Sequence, residues 1–271
     1  ESNPKGKKGA GAYYTPTPLV ELMLDEVLPT DKQYTEYNVK ILDPACGSGI
    51  FLVESYKRLL KRYENAHHKK PTDFEELKNI LLSNIYGIEQ NDQAIIVAAF
   101  SLYLALVDNL DPKTLWISPK IKFPCLVNNP DQIVKAKEGH NLFCTDTIAT
   151  NDEIESISFD LVVGNPPFGT ENRSKEVVLS DSIREYCEQN GFAKEMVIPF
   201  LHKATKFSPN GEIAMIFNAK ILTNTGPTYQ NFRNWLFNDC SVEKIYNFSI
   251  LRKAPADFGG QLFSSAIGPI C

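Results

Sequence analysis

The sequence lacks the features of a secreted or membrane-spanning protein. None of the apolar runs in its 271 residues reaches the roughly 20 residues that a membrane-spanning helix needs. The N-terminal stretch leads from Glu1 into lysines and glycines rather than an apolar segment, which disfavours a signal peptide. From these absences we predict a cytoplasmic protein.

Candidate metal ligands and paired cysteines are also scarce. The six cysteines are widely and irregularly spaced, and none of them forms a CxxC pair. The four histidines include one adjacent pair, His67 and His68, with no ligand cluster beside it. This pattern disfavours zinc and favours reduced thiols, so we predict no bound metal.

An excess of basic charge is missing as well, since the formal net charge is −5. An acidic balance argues against a general nucleic-acid coat but not against a local basic groove. Lysines and arginines cluster at 5–8, 57–70 and 120–122, where a solvated surface is the simplest explanation. With 43% apolar residues, the chain can bury a sizeable core in one large or two small α/β domains.

What is present is an alternation of strand and helix patterns. Short apolar runs predict strands at 39–42, 85–89, 141–144, 159–163 and 212–217. Longer periodic stretches predict helices at 50–63, 73–83, 92–107, 181–189, 194–207 and 227–238. Val242–Phe248 and Leu262–Ile267 are candidate closing strands. The alternation predicts an α/β fold with a doubly wound, mostly parallel sheet.

Turns at the ends of the predicted strands are the candidate ligand sites. In doubly wound sheets, ligands bind at the carboxyl ends of the strands. The turns that follow the predicted strands lie at 43–49, 89–92, 146 and 165–168. We therefore expect these four turns to converge at one edge of the sheet.

The first of these turns has the sequence Asp-Pro-Ala-Cys-Gly-Ser-Gly, from Asp43 to Gly49, and leads into a predicted helix. A glycine turn before a helix N-terminus suits a polar, partly anionic ligand. Glu89 ends the next strand, where its carboxylate can accept two hydrogen bonds from a ribose diol. A dinucleotide site is disfavoured, because Leu52 occupies the third glycine position and Glu89 follows Asp43 by 46 residues, not by about 20. A tight structural turn and a surface carboxylate are the simpler alternatives.

The turn at 165–168 has the sequence Asn-Pro-Pro-Phe. Pro166 and Pro167 fix two φ angles and remove two backbone donors, so carbonyl groups dominate the lining of the turn. The Asn165 side chain adds another acceptor, and two acceptors together suit one –NH2 group. Phe168 offers a face on which a planar ring can stack, for about 1–3 kcal/mol per base. A purely structural turn is the alternative, because Asn-Pro-Pro is turn-prone.

Four segments together resemble the successive motifs of S-adenosylmethionine-dependent DNA (adenine-N6) methyltransferases. They are Gly11-Ala-Tyr-Tyr-Thr-Pro16, Asp43-Pro-Ala-Cys-Gly-Ser-Gly49, Gly87-Ile-Glu89 and Asn165-Pro-Pro-Phe168. Their order resembles the gamma arrangement of type I modification subunits and type IIG enzymes. The resemblance covers about residues 9–250, and 196–211 is similar to the helix and glycine turn that follow the catalytic motif.

The resemblance implies a Rossmann-like class I methyltransferase fold and the cofactor S-adenosylmethionine. It assigns cofactor binding to Tyr14, Thr15, Asp43, Ala45, Gly47, Gly49, Phe51, Glu89, Asp146 and Asn165. Within that set, Glu89 would hold the ribose hydroxyls and Asp146 the cofactor adenine. The catalytic motif would be Asn165, Pro166, Pro167 and Phe168. There, Asn165 and the Pro166 carbonyl would hold the target amine, and Phe168 would stack on the target base.

The implied reaction has a plain physical basis. An adenine amine is conjugated with its ring, and two acceptors on its hydrogens would favour a pyramidal nitrogen with an available lone pair. Transfer of a methyl group from a sulfonium needs alignment more than a strong base. A base inside a duplex cannot enter such a pocket, so a flipped-out adenine in double-stranded DNA is implied.

The chain departs from the family pattern on its C-terminal side. Members with this motif order carry a target-recognition domain there, and residues 1–271 leave no room for one. We therefore expect a single methyltransferase catalytic domain over 1–271, with a mobile segment at 1–16 that carries the first motif. Sequence recognition would come from a specificity subunit or a domain outside this chain. A bacterial restriction-modification or related defence system is the expected setting.

Two other interpretations stay open. Asn-Pro-Pro-aromatic also resembles the motif of protein-glutamine and ribosomal-RNA methyltransferases, which usually lack the motif at 11–16. A non-catalytic scaffold subunit that binds S-adenosylmethionine or DNA is the alternative from a different class. The intact turn at Asn165 disfavours the scaffold.

Overall fold

The structure, a computed structural model, describes residues 15–110, 113, 121–128, 139–149, 151–169 and 179–248, and the backbone of 269–270. The chain forms two compact units. The sheet unit consists of the described parts of 17–164 and 207–214. The turn unit consists of the described parts of 1–16, 165–206 and 215–271. The single catalytic domain expected over 1–271 stays a prediction.

The sheet unit is built on a six-stranded sheet with the order β3-β4-β2-β1-β5-β6. Its strands are β1 Ile41–Asp43, β2 Ile85–Ile88, β3 Cys125–Asn128, β4 Gly139–Phe143, β5 Leu161–Gly164 and β6 Glu212–Met215. The last residue of β6, Met215, is counted with the turn unit. β1 pairs in parallel with β2 and β5, so that Ile41 lies opposite Ile85 and Leu161. β4 pairs in parallel with β2 and β3. The carboxyl ends of β1, β2, β4 and β5 therefore lie at one edge of the sheet, as predicted.

Burial explains why the central strands are continuous apolar runs. Every residue of β1 and β5 is buried. A strand that is covered on both faces has no solvent side on which polar residues would alternate. The same burial extends to the last residue of β1, Asp43, which places a carboxyl group inside the sheet edge.

Helices flank the strands in the sheet unit. Those described are α1 Thr17–Val27, α2 Ile50–His67, α3 Phe74–Asn84, α4 Asp92–Val107 and α5 Asp152–Glu155. Side-chain caps mark where three of them begin, α3, α4 and α5. Asp73 Oδ2 accepts from the Glu76 amide at 3.1 Å, and Asn91 Oδ1 accepts from the Gln93 and Ala94 amides at 3.0 Å. Such caps satisfy amide groups that the first helical turn leaves unpaired.

The turn unit is mostly helical. Its described elements are α6 Asp181–Gln189, α7 Val197–Phe207, α8 Lys220–Thr223, α9 Pro227–Asp239 and the antiparallel pair β7 Phe217–Asn218 and β8 Pro269–Ile270. The last residue of α7, Phe207, is counted with the sheet unit. The core of the turn unit is a group of buried apolar side chains, here called the aromatic cluster: Phe192, Ala193, Val197, Ile198, Phe217, Ile221, Tyr229 and Phe232.

Most of the predicted elements are confirmed within a few residues. The closing strand predicted at 242–248 is wrong, since 242–246 has no strand pairing and Asn247 makes only an isolated bridge. Its apolar residues do not form a buried face, because Val242 is 37% and Ile245 42% exposed. The strand predicted at 262–267 lies outside the described residues. No described helix combines the length and apolar composition that a bilayer span requires.

Candidate functional site

The turn after β1 bends through two glycines with left-handed backbone conformations. Gly47 has a φ of 52°, and Gly49, the N-cap of α2, has a φ of 87°. A Cβ on Gly49 would lie 3.0 Å from the Cβ of Ala98, so both conformation and space require glycine there. A Cβ on Gly47 would meet no atom within 4 Å. The space beside Gly47 is therefore open to a ligand that approaches the backbone.

Glu89 connects this glycine turn to the end of β2. Its Oε2 accepts a hydrogen bond from the Gly47 amide at 3.0 Å, and its Oε1 accepts one from the Asn91 amide at 2.8 Å. The Glu89 amide donates to the Phe143 carbonyl at 3.0 Å, which fixes Glu89 beside the end of β4. A carboxylate can accept about four hydrogen bonds, so each oxygen keeps acceptor capacity. Glu89 thus presents an oriented, half-buried acceptor at the sheet edge.

Asp43 is a buried carboxyl group, only 1% exposed, at the end of β1. Its Oδ1 accepts from the Ala45 amide at 3.0 Å. Burial raises the pKa of Asp43 to about 8, an effect that the Ala45 amide opposes and the negative charge of Glu89 reinforces. A positive charge nearby would favour the ionised form and reverse this shift. The environment of Asp43 therefore suits a cationic ligand.

The loop after β4 reaches the same glycine turn. The buried hydroxyl of Thr147 donates to the Pro44 carbonyl. Asp146 is half-buried, and its Oδ1 accepts from the Ile148 amide at 2.9 Å. Thr147 was not among the residues predicted from the sequence, because a threonine after a strand carries no signal of a partner 103 residues earlier.

The structure brings several of the predicted cofactor residues together at this edge of the sheet. The hydrogen bonds of Glu89 and Thr147 join the glycine turn, the end of β2 and the loop at Asp146. Ala45 is half-buried within the turn. Phe51 differs, because its ring is 1% exposed in the core and offers a ligand almost no surface in this conformation. Tyr14 lies outside the described residues.

The turn unit holds the other predicted residues. Asn165 follows directly after Gly164, the last residue of β5. Its Nδ2 donates to the Thr15 Oγ1 at 3.0 Å. Its Oδ1 is buried, and none of the described residues forms a hydrogen bond with it. Buried polar atoms are nearly always paired, so this oxygen is an acceptor that a bound donor would satisfy.

The rest of the Asn165 turn is fixed by packing and by one backbone bond. Pro166 is buried and Pro167 half-buried. The half-buried ring of Phe168 packs against the aromatic cluster. The Gly169 carbonyl accepts from the Met196 amide at 2.9 Å, which fixes the end of the turn just before α7. Phe168 is therefore supported on one side while part of its ring stays accessible.

The two sets of residues fit different ligands. The sheet unit offers an open glycine backbone and three carboxyl groups, those of Asp43, Glu89 and Asp146, each of which accepts a hydrogen bond from a backbone amide. S-adenosylmethionine carries an ammonium, a sulfonium and a ribose diol, and these groups match acidic acceptors. The turn unit offers a buried acceptor with no described partner beside a partly exposed ring, which fits a planar group with an amine.

Solved structures with a similar fold include a restriction-modification enzyme and a class I methyltransferase. The type ISP restriction-modification enzyme LlaGI, determined as a nuclease-deletion mutant with a DNA substrate mimic, has a TM-score of 0.66 at 14% identity, covering 96% of this chain and 22% of that chain. A putative class I S-adenosylmethionine-dependent methyltransferase from Listeria monocytogenes has a TM-score of 0.51 at 16% identity, covering 96% and 60%. The fold is the Rossmann-like fold of class I methyltransferases, as predicted.

The chain belongs to the Eco57I restriction-modification methylase family, whose model matches residues 83–252. The model of the N-6 DNA methylases matches residues 2–116. These two matches cover the segments on which the resemblance to adenine-N6 methyltransferases was based. The predicted family is therefore confirmed.

Curated relatives are much longer than this chain. The type II methyltransferase M.BstVI of Geobacillus stearothermophilus is 26% identical over 215 residues, 79% of this chain and 34% of that protein. The putative type II restriction enzyme and methyltransferase RM.MjaORFECS2P of Methanocaldococcus jannaschii is 31% identical over 155 residues, 41% of this chain and 13% of that protein. The chain thus spans about a third or less of the length of these relatives.

Proposed function

We propose that the chain transfers a methyl group from S-adenosylmethionine to the exocyclic N6 amine of a flipped-out adenine in DNA. The observation that carries this proposal is the buried Oδ1 of Asn165, which has no partner among the described residues. An N–H group is the donor that this oxygen lacks, and the adenine N6 amine has two of them.

Residues of the sheet unit would hold the cofactor. Glu89 would accept from the ribose hydroxyls with the acceptor capacity that the Gly47 and Asn91 amides leave. Asp43 would balance positive charge, and Asp146 would contact the cofactor adenine. The open side of Gly47 would let the cofactor approach the backbone. When bound, S-adenosylmethionine supplies a methyl group on a positively charged sulfur.

Residues of the turn unit would prepare the acceptor. Asn165 Oδ1 and the Pro166 carbonyl would accept the two amine hydrogens and favour a pyramidal nitrogen. The accessible part of the Phe168 ring would stack on the target base, with its other side supported by the aromatic cluster. Neither step requires a strong base or a cysteine nucleophile, because alignment of the amine is the main requirement.

The family favours DNA adenine over the other acceptors. The two family models that match the chain are named for a restriction-modification methylase and for N-6 DNA methylases. We therefore place the activity in a restriction-modification or related defence system. Recognition of the DNA sequence would come from a specificity subunit or from a domain outside residues 1–271.

Methyl transfer from labelled S-adenosylmethionine tests the proposal. The full-length protein would be given duplex DNA, ribosomal RNA and a protein extract in separate reactions. We expect label in DNA, and N6-methyldeoxyadenosine when the DNA is digested and examined by mass spectrometry. Asn165→Ala should transfer label at least about a hundredfold more slowly. Asn231→Ala is the matched control, because this asparagine of the same unit donates to the Gly191 carbonyl at 3.1 Å.

Each other outcome contradicts part of the proposal. Label in protein glutamine or in RNA would show that the acceptor is protein or RNA rather than DNA. Label at cytosine N4 would keep the amine chemistry but overturn adenine. Cofactor binding without transfer to any acceptor would make the protein a scaffold rather than an enzyme.

A further inference from the structure

A buried hydroxyl group fixes the side chain of Asn165. Thr15 is 5% exposed, and its Oγ1 accepts the hydrogen bond from Asn165 Nδ2 at 3.0 Å. The two residues are 150 positions apart in the chain. The resemblance assigned Thr15 to the cofactor, but its described side-chain contact is with the proposed amine-binding residue.

In the structure, this hydrogen bond uses the Nδ2 end of the amide and leaves the carbonyl end available. An asparagine amide has two N–H donors at one end and a carbonyl acceptor at the other. With Nδ2 directed at Thr15, the carbonyl oxygen occupies the position that has no partner among the described residues. A rotation by half a turn would place N–H groups there instead. Two sets of N–H donors, from Asn165 and from an amine, would then face each other.

The same bond also makes the carbonyl oxygen a better acceptor. Hydrogen bonds in a chain polarise one another, by about 10–30% per bond in condensed phases. Donation from Nδ2 to Thr15 shifts electron density in the amide toward Oδ1. Thr15 therefore acts on both the direction and the strength of the acceptor.

We infer that Thr15 is the positioning residue that orients the Asn165 amide and thereby makes the turn select an amine over a carbonyl group. The inference rests on the proposed function and defines the specificity of that site. On the major-groove edge of the base, adenine and cytosine carry an amine, whereas guanine and thymine carry a carbonyl oxygen that Asn165 Oδ1 would repel. Thr15 accordingly contributes to the choice of base without touching it.

Two substitutions separate the hydroxyl from the shape of the side chain. Thr15→Val removes the hydroxyl and keeps the branched shape, whereas Thr15→Ser keeps the hydroxyl. In the full-length protein we expect Thr15→Val to lower kcat about tenfold, the upper range for one lost hydrogen bond, and Thr15→Ser to restore most of it. The dissociation constant of S-adenosylmethionine, measured by calorimetry, should stay within about twofold for both variants.

A readout that does not depend on activity is the side-chain amide of Asn165 in protein labelled with 15N-asparagine. The resonance is identified by its absence in Asn165→Ala. Its N–H protons should be protected from solvent exchange in the wild type and in Thr15→Ser, and lose protection in Thr15→Val. Thr205→Val, which removes a hydroxyl bonded to the His202 carbonyl at 2.8 Å in the same unit, should leave them protected.

The results distinguish this inference from the proposed function. A wild-type protein that transfers no methyl group would contradict both the proposed function and the inference about Thr15. An active wild type whose Thr15→Val variant keeps full kcat and amide protection would overturn the inference alone. A Thr15→Val variant that loses cofactor affinity in proportion to activity would make Thr15 a cofactor ligand instead. A variant that fails to fold would be recognised by its thermal melting, and Thr15→Ser then decides, since its amide protection should match the wild type.

Discussion

The candidate site residues of the two units differ in how their polar groups are hydrogen-bonded. In the sheet unit, both oxygens of Glu89 and the Oδ1 of Asp43 already accept bonds from backbone amides. In the turn unit, Asn165 is fixed at its nitrogen, while its buried oxygen has no partner among the described residues. The first site is preorganised by the protein itself, and the second has an unmet hydrogen bond that a substrate would satisfy. Binding of the cofactor and turnover should therefore be separable by mutation.

The largest effect is expected at the unpaired oxygen. Asn165→Ala should reduce turnover by about a hundredfold or more, the scale for losing a preorganised group at a reacting centre. Cofactor affinity should hardly change, because Asp43 and Glu89 are intact. Single-turnover kinetics and calorimetry measure the two quantities. An Asn165→Ala protein with wild-type turnover would remove the distinction between the two sites.

A smaller effect is expected at Glu89, whose carboxylate already accepts two hydrogen bonds from backbone amides. Glu89→Ala should weaken S-adenosylmethionine binding by roughly 1.5–3 kcal/mol, since it removes hydrogen bonds to a charged group. It also releases the Gly47 amide that Glu89 holds. Glu89→Gln keeps one acceptor oxygen, so its affinity for S-adenosylmethionine should lie between those of the wild type and Glu89→Ala. The surface variant Glu188→Gln is the control, and an unchanged dissociation constant in Glu89→Ala would exclude Glu89 from the site.

Asp43 should make the protein less stable as the pH rises. Its pKa is raised to about 8 in the folded chain, whereas an unfolded aspartate has its ordinary value of 3.8. Between those values the folded state keeps a proton that the unfolded state has lost. Stability is therefore complete below about pH 4 and falls toward pH 8, by at most about 1.4 kcal/mol per pH unit.

Urea unfolding at several pH values measures this slope. Asp43→Asn should flatten it, because an amide does not titrate. Saturating S-adenosylmethionine should flatten it too, and binding near pH 7 should release protons that calorimetry in two buffers detects. A slope that is identical in the wild type and in Asp43→Asn would show that this buried carboxyl group does not control the pH dependence.

The smallest effect is expected at Phe168. Phe168→Leu keeps an apolar contact with the aromatic cluster but loses the flat face, so DNA binding should weaken by about 1 kcal/mol, the lower range for one stacked base. Fluorescence anisotropy with a duplex measures this change. Phe237→Leu is the control, because it replaces an exposed aromatic residue of α9 in the same unit. Equal losses in both variants would argue against stacking at Phe168.

Much of the sheet could be predicted because its signals are local. Apolar runs of four or five residues marked the central strands, and the periodic pattern at 73–83 marked α3. The glycines at 47 and 49 and the acid at 89 were recognisable from their places after strands. The structure adds that the Glu89 carboxylate is hydrogen-bonded directly to the glycine turn, at the Gly47 amide.

Features that depend on distant parts of the chain could not be predicted in this way. Neither the bond from Thr147 to Pro44 nor that from Asn165 to Thr15 has any trace in the local pattern. The two compact units have no local signal either, because both are discontinuous in sequence. The strand prediction at 242–248 was wrong for the opposite reason. The local apolar pattern is present, but 242–246 has no pairing strand among the described residues and its apolar side chains stay exposed.

The span of 150 residues between Thr15 and Asn165 also has a consequence for folding order. Contacts between distant residues form late, because the intervening chain must first lose much of its freedom. Thr15 is synthesised early and has to wait for Asn165 to leave the ribosome. We expect the glycine turn and Glu89 to acquire their native bonds before the amine acceptor is oriented. The proposed cofactor residues would then be in place before the proposed amine-binding residue.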